Sequence, residues 1–198
     1  MRRVENDRIV EILGKSGAPG MATEIAIRNF DLPHEWPDGV EAEASAFGET
    51  VPEDLKSGRR DLRELPLVTI DGADARDFDD AVFCEKTKKG WRLLVAIADV
   101  SAYVVPGTGL DEEAYKRGNS VYFPDRVVPM LPEVLSADKC SLKHGEDRAA
   151  MVCHLHIDSS GAVTSQRFTR AIVRIAHNIA YEDAQAAVDA GDEPEYLT

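Results

Sequence analysis

Residues 67–98 read LVTIDGADARDFDDAVFCEKTKKGWRLLVAIA. Three apolar runs, at 67–70, 81–85 and 91–98, are separated by an acidic loop and by the polar segment KTKKG. Short apolar runs bounded by glycine and polar residues are typical of strands. The second and third runs therefore predict a β-hairpin with Gly90 in its turn. The first run predicts a strand that leads directly into the acidic loop.

The acidic loop, residues 71–80, carries five aspartates: Asp71, Asp74, Asp77, Asp79 and Asp80. Two like charges ~4 Å apart repel by about 4 kcal/mol at an effective dielectric of ~20. Because apolar strands flank the loop and Phe78 lies within it, we expect the carboxylates to converge at a strand end. Hard carboxylate oxygens suit Mg²⁺ or Mn²⁺. Two such ions side by side would favour hydrolysis of a phosphodiester.

Three other interpretations of this loop stay open: a solvated acidic loop, a calcium loop, and a site for one structural ion. The EF-hand pattern D-x-[DN]-x-[DN]-G is not met. Its third and sixth positions are occupied here by Ala73 and Arg76.

The remainder of the chain mixes short strands with short helices. Further strands are predicted at 8–13, 121–123, 151–157 and 164–173, and helices at 38–47, 108–116, 129–135 and 182–190. Thr108 is a predicted N-cap and Gly118 a predicted helix stop. Hairpins interspersed with helices indicate the α+β class.

Composition narrows the class of protein. The 198 residues contain 23 basic and 36 acidic side chains, for a net charge of −13. This charge argues against a protein that holds nucleic acid by a broad basic face alone, but it leaves binding through metal ions open. We expect no membrane span, because no apolar run approaches ~18 residues, and no secretory signal. The three cysteines are expected to be reduced thiols in a cytoplasmic protein.

Four segments, 61–82, 91–104, 117–136 and 140–153, together resemble the RNB catalytic domain of the ribonuclease II and ribonuclease R family, the ribonuclease R branch in particular. The resemblance implies a mixed β-sheet with a barrel-like core and surrounding helices. It also implies that the chain is a piece of a longer protein, with strands missing and sheet edges left open.

The resemblance divides the chain into three parts. Residues 1–16 are similar to the end of a cold-shock OB domain, in the form of a remnant strand, and residues 17–58 to a connector. Residues 59–198 are similar to the amino-terminal portion of the RNB exoribonuclease domain, truncated.

Members of this family are 3′-to-5′ exoribonucleases. The resemblance therefore implies Mg²⁺-dependent hydrolysis of single-stranded RNA to nucleoside 5′-monophosphates, in RNA degradation, with Mn²⁺ as a possible substitute. The implied partner is the 3′ end of single-stranded RNA. No membrane and no small-molecule cofactor besides the metal are expected.

The family motif D-x5-D-x-D-D matches Asp71, Asp77, Asp79 and Asp80. The resemblance implies that all four bind metal: Asp71 and Asp80 hold the main Mg²⁺, and Asp77 and Asp79, also the catalytic residues, complete the acidic site. Asp79 is the residue expected to be indispensable. Asp74 has no counterpart in the motif.

Within the segment SVYFP, the resemblance implies that Tyr122 stacks on a base at the 3′ end of the RNA. Arg117 is expected to be a solvated surface residue, and the pair His154 and His156 an exposed strand face. The family's site also uses residues that would lie beyond Thr198.

Two rival hypotheses stay open. The chain could be a catalytically inert truncated fragment that binds a metal or a partner, or it could be an endonuclease that uses the same carboxylates. Product length separates the latter from an exonuclease, which releases mononucleotides.

Overall fold

The computed structural model describes residues 2–6, 8–48 and 50–191. The elements follow in the order β1 (Arg2–Glu5), β2 (Arg8–Ile12), α1 (Met21–Asn29), α2 (Val40–Ser45), α3 (Glu53–Lys56), β3 (Arg60–Asp61), β4 (Leu67–Asp71), β5 (Asp80–Thr87), β6 (Gly90–Ala98), α4 (Gly109–Arg117), β7 (Val121–Tyr122), β8 (Val127–Val128), β9 (Asp147–Asp158), β10 (Val163–Ala180) and α5 (Tyr181–Ala190). A short 3₁₀ helix at Val100–Ala102 and a π-helix at Leu135–Lys139 complete the set in the described residues. The predicted α+β class is confirmed.

The chain forms two compact units. One combines the described residues up to Glu43 with Pro106–Pro132, and the other combines Ala44–Val105 with the described residues from Glu133 onward.

In the first unit, β1 and β2 form an antiparallel hairpin. The strand predicted at 8–13 is confirmed, and β1 supplies a partner that was not predicted. Helix α1 was also missed. Helix α4 begins where predicted, since the Thr108 hydroxyl accepts a hydrogen bond from the Asp111 N–H at 3.3 Å. It ends at Gly118, whose φ of 74° favours glycine.

The second unit is built on a six-stranded mixed sheet that closes on itself. The strand order is β3-β10-β4-β5-β6-β9, and β9 pairs again with β10. The long strand β10 makes this closure possible, because it runs antiparallel to β9 along one part and parallel to β4 along another. The barrel-like core implied by the resemblance is therefore confirmed, and the expectation of an open sheet is wrong for this ring of five strands.

Buried side chains at alternate positions line one face of the ring strands, and several of them are small. Alternate residues of β6, β9 and β10 are buried, among them Ala96, Ala98, Ala150, Val152 and Ala171. Cross-strand register places Ala96 opposite Val152, and Ala98 opposite Ala150. A ring of only five strands has a narrow interior, and small side chains fit inside it.

The predicted hairpins of this unit are both present. Strands β5 and β6 are antiparallel, with Thr87 opposite Gly90 at the turn and Asp80 opposite Ile97 at the far end. Gly90 has a φ of 139°. The helix predicted at 129–135 is wrong in its start: helical structure begins at Glu133. The reason is Pro132, which keeps Leu131 out of the helical conformation.

A buried ion pair joins the start of β3 to the end of β6. Arg59 Nη2 lies 2.7 Å from Asp99 Oδ2, and the two side chains are only 6% and 4% exposed. The Asp99 carboxylate also accepts a hydrogen bond from the Ser101 hydroxyl at 2.6 Å. This pair fixes the backbone directly after β6, the strand whose end adjoins the aspartate loop.

Candidate metal centre

The sheet places the ends of the aspartate loop at one end of the ring. Asp71 is the last residue of β4 and lies opposite Ala180, the last residue of β10. Asp80 is the first residue of β5 and lies opposite Ile97 on β6. The backbone of Asp79 is held to the same place, since its carbonyl accepts the N–H of Ala98 at 2.9 Å. The backbone therefore places both ends of the loop at one end of the ring, and convergence of the carboxylates themselves stays a prediction.

A buried serine holds the middle of the loop. The Ser141 hydroxyl accepts the N–H of Phe78 at 3.1 Å and donates to the carbonyl of Arg76 at 2.8 Å. The N–H of Leu142 donates to the carbonyl of Phe78 at 2.8 Å. Residues 76–78 are therefore fixed on both sides of Asp77. Ser141 lies in segment 140–153, which resembles the RNB domain, but the sequence alone predicted no role for this serine.

The carboxylates are close enough to perturb one another. Partial desolvation raises the pKa of Asp79, and the negative charges of Asp77, Asp80 and Asp71 raise it further. Desolvation also raises the pKa of Asp71, as do the charges of Asp80 and Asp77, against a smaller opposing hydrogen bond from Thr69. These four are the aspartates of the predicted motif. A cation placed among them would relieve the repulsion.

The donor set suits a hard divalent cation. Its oxygens are carboxylates, which Mg²⁺ and Mn²⁺ prefer. Among the residues described, no three His, Cys, Asp or Glu side chains form a ready-made ligand cluster. Like-charged carboxylates do not gather unaided, so a cation would have to draw them together.

One buried thiol, that of Cys140, lies within electrostatic range of Asp79. Burial raises the pKa of Cys140 to about 12, and the charge of Asp79 contributes in the same direction. This cysteine therefore stays protonated at neutral pH, whereas a metal ligand must be a thiolate.

Similarity to a known family extends over most of the chain. The family model for the RNB domain matches residues 59–196. The chain belongs to the RNB domain family. A model for the cold shock domain matches residues 3–37. The predicted bounds 1–16, 17–58 and 59–198 stay predictions.

Individual RNB proteins give the same result. Ribonuclease R of Acidithiobacillus ferrooxidans is 56% identical over 191 residues, which cover 96% of this chain and 43% of that protein. The solved structure of Mycoplasma genitalium RNase R in complex with ribose-methylated single-stranded RNA matches with a TM-score of 0.88 at 30% identity, over 96% of this chain and 30% of that one. The resemblance to ribonuclease R is confirmed. The chain spans less than half the length of these relatives.

The RNB fold also occurs in a protein described as a pseudonuclease. Yeast Ssd1 matches with a TM-score of 0.79 at 19% identity, over 96% of this chain and 24% of that one. At this identity the likeness concerns the fold alone.

Tyr122, the predicted RNA contact, lies on β7 in the first unit and is 68% exposed. The prediction for Arg117 is wrong. Its side chain is 2% exposed and lies over the Trp36 ring at 3.5 Å. It also donates to a Glu113 carboxylate oxygen at 2.8 Å. Arg117 is thus buried between the Trp36 ring and the carboxylate of Glu113, which lies one helical turn earlier.

His154 and His156 lie two residues apart on β9, as predicted. His156 is exposed, whereas His154 is half-buried and its Nε2 lies 2.9 Å from the Thr169 hydroxyl. Burial lowers the pKa of His154, and the charges of Arg60 and Arg167 lower it further. The prediction of an exposed position is therefore confirmed for His156 and wrong for His154.

Within the described residues, every helix is too short or too polar to span a membrane.

The raised pKa of Asp79 predicts a stability effect. A carboxyl whose folded pKa exceeds its unfolded value of about 3.9 destabilises the fold once ionised. Asp79→Asn should therefore raise the melting temperature of the metal-free chain at pH 7. The gain should grow as the pH rises through the two pKa values and stay constant above both. Thermal unfolding of the chain and of Asp74→Asn, an exposed aspartate of the same loop, checks this result. An Asp79→Asn variant with the parent's melting temperature at every pH would contradict it.

Proposed function

We propose that this chain carries the carboxylate site of a 3′-to-5′ exoribonuclease that hydrolyses single-stranded RNA to nucleoside 5′-monophosphates. The observation that carries the proposal is that the backbone places Asp71 and Asp80, the first and last residues of the four-aspartate motif, at one end of the RNB ring. Carboxylates brought close together there would repel one another unless a cation bound among them. RNA cleavage is a use for that cation which agrees with membership of the family.

The proposed roles follow from where each aspartate lies. Asp71 and Asp80, each fixed at a strand end, would hold the main Mg²⁺, for which Mn²⁺ could substitute. Asp77 and Asp79, in the loop, would complete the site as further metal ligands. When bound, the metal would supply a Lewis acid that activates water and stabilises the departing oxygen. Asp71 and Asp79 would be ionised at neutral pH in the presence of that charge, although desolvation raises the pKa of each carboxyl.

The proposed substrate is the 3′ end of single-stranded RNA, in the cytoplasm and without further cofactors. The relative from Mycoplasma genitalium was solved with a single-stranded RNA. Tyr122 is exposed, as a side chain that stacks on a base must be. Base–aromatic stacking tolerates any sequence, which a general RNA-degrading enzyme requires.

Tyr122→Ala tests the stacking role. A lost stack of ~1–3 kcal/mol corresponds to about 5- to 150-fold weaker binding of the last bases. Short RNAs should then dissociate before they are cut, so that the final product becomes longer, while binding of long RNA changes little. Tyr115, 91% exposed on α4, offers a matched control as Tyr115→Ala. If the final products of Tyr122→Ala had the same size as those of the parent on a sequencing gel, Tyr122 would not stack on the RNA.

Product analysis tests the reaction itself. RNA labelled at its 3′ end should release labelled mononucleotides with 5′-phosphates from the first time point. Labelled 3′-terminal fragments longer than one nucleotide would instead identify an endonuclease.

An inert metal-binding chain is the second candidate, favoured by the occurrence of this fold in a pseudonuclease. It predicts intact RNA together with Mg²⁺ binding at the aspartates.

A further inference from the structure

Ser141 is a buried residue whose side chain hydrogen-bonds directly to the backbone of the aspartate loop. It is 0% exposed and precedes β9. Its hydroxyl has a single proton, which it donates to the carbonyl of Arg76 at 2.8 Å, while its oxygen accepts the N–H of Phe78 at 3.1 Å. These two contacts lie immediately before and immediately after Asp77.

The contacts of Ser141 are supported by its neighbours in residues 141–144, which we call the clasp. Leu142, also 0% exposed, donates its N–H to the carbonyl of Phe78 at 2.8 Å. The carbonyl of Ser141 accepts from Nε of the buried Arg148 at 2.8 Å. The clasp is therefore held in place by Arg148 as well as by its contacts with the aspartate loop.

A single side chain ties the clasp to the strand that ends at Asp71. The Asn178 amide on β10 donates to the carbonyl of Leu142 at 3.0 Å and to the hydroxyl of Thr69 at 2.8 Å. The N–H of His144 donates to the Asn178 oxygen at 2.8 Å. Asn178 thus links the clasp to β4 two residues before Asp71. The loop and the strand end are positioned by one connected network.

We propose that Ser141 is a positioning residue, which holds Asp77 and Asp79 in place for a divalent cation. This inference rests on the proposed metal site. The carboxylates repel one another, so a loop held only at its two ends would relax by moving them apart. Hydrogen bonds on both sides of Asp77 oppose that relaxation. Partners that orient metal ligands in this way typically contribute 10–100-fold to metal affinity.

Ser141→Ala removes both hydrogen bonds and leaves the shape of the core almost unchanged. We expect its dissociation constant for Mg²⁺ to rise by about 10–100-fold. Metal titration of the 198-residue chain, followed by amide shifts of residues 71–80 in NMR spectra, measures this constant with Mg²⁺ alone as the probe. In the same samples, hydrogen exchange of the Phe78 amide should accelerate.

A matched control separates positioning from general stability. Thr169→Val removes a half-buried hydroxyl of the same sheet, which contacts His154 and lies away from the loop. It should lower the melting temperature but leave Mg²⁺ affinity within about twofold of the parent. A purely structural Ser141 would behave in the same way, with normal affinity in the folded protein.

Ser141→Cys keeps a side chain of similar size with a weaker hydrogen-bonding group, and we expect an intermediate dissociation constant. It replaces the alanine variant should that variant not fold.

The outcomes are distinct. Parental Mg²⁺ affinity in folded Ser141→Ala, or in folded Ser141→Cys where the alanine variant does not fold, overturns the role of Ser141 and leaves the proposed function intact. Absence of Mg²⁺ binding by the parent overturns the metal site and this inference with it.

Discussion

Asp79→Asn is expected to abolish RNA hydrolysis in a protein that carries this sequence. Asn is nearly the same size as Asp but lacks its negative charge. The site would lose one of the carboxylates proposed to hold the metal, and a bound metal supplies several kcal/mol of transition-state stabilisation. Since each 1.36 kcal/mol is a factor of ten, turnover should fall by at least about a thousandfold.

Binding separates this effect from loss of the fold. RNA affinity of Asp79→Asn should stay close to that of the parent, measured by fluorescence anisotropy with labelled RNA. Asp74→Asn, in the same loop but outside the motif, should retain turnover. Turnover of Asp79→Asn within tenfold of the parent would contradict the assignment of the site.

Asp99→Ala is expected to cause the largest loss of stability. The substitution leaves the Arg59 guanidinium, 6% exposed, without its carboxylate partner. Breaking one side of a buried pair typically costs about 3–5 kcal/mol, because the remaining charge stays buried. Urea unfolding should show this loss as a lower midpoint. Glu53→Ala, which breaks the exposed pair with Lys56, should cost below about 1 kcal/mol.

The pH dependence of this effect has a definite sign. Burial alone would raise the pKa of Asp99, but the hydrogen bond from Ser101 and the contact with Arg59 outweigh it and lower the pKa. A group with a lowered folded pKa contributes stability above its unfolded pKa, about 3.9, and loses it as the pH falls through the folded value. The gap between parent and Asp99→Ala should therefore be full at pH 7 and narrow in acid. A constant gap, or a midpoint like that of Glu53→Ala, would show that the ion pair does not stabilise the fold.

Local signals predicted local structure well. The hairpin around Gly90 and the limits of α4 follow from turn and cap residues that act within a few positions. Closure of the ring did not follow from them, because it depends on β10 pairing with β4 about a hundred residues earlier. Periodicity within a strand does not encode its partner. The long reach of β10 was also underestimated, since its exposed first half lacks a clear alternation.

The site was predicted in part. The apolar strands that flank the loop predicted that its aspartates lie at a strand end, and the structure places Asp71 at the end of β4 and Asp80 at the start of β5. The roles of these aspartates and of Tyr122 stay predictions. The clasp was missed because a serine reveals a structural role only through partners distant in sequence. Arg117 was misjudged for the same reason, since the Trp36 ring that covers it is far along the chain.

The most direct test is RNA cleavage by the purified 198-residue chain. Single-stranded RNA labelled at its 5′ end would be incubated with Mg²⁺, with a chelator instead of Mg²⁺, and with Asp79→Asn, and the products separated on a gel. The account predicts Mg²⁺-dependent shortening of the labelled RNA from its 3′ end in steps of one nucleotide, absent in the other two reactions. Intact RNA with Mg²⁺ present, or equal cleavage by Asp79→Asn, would contradict it.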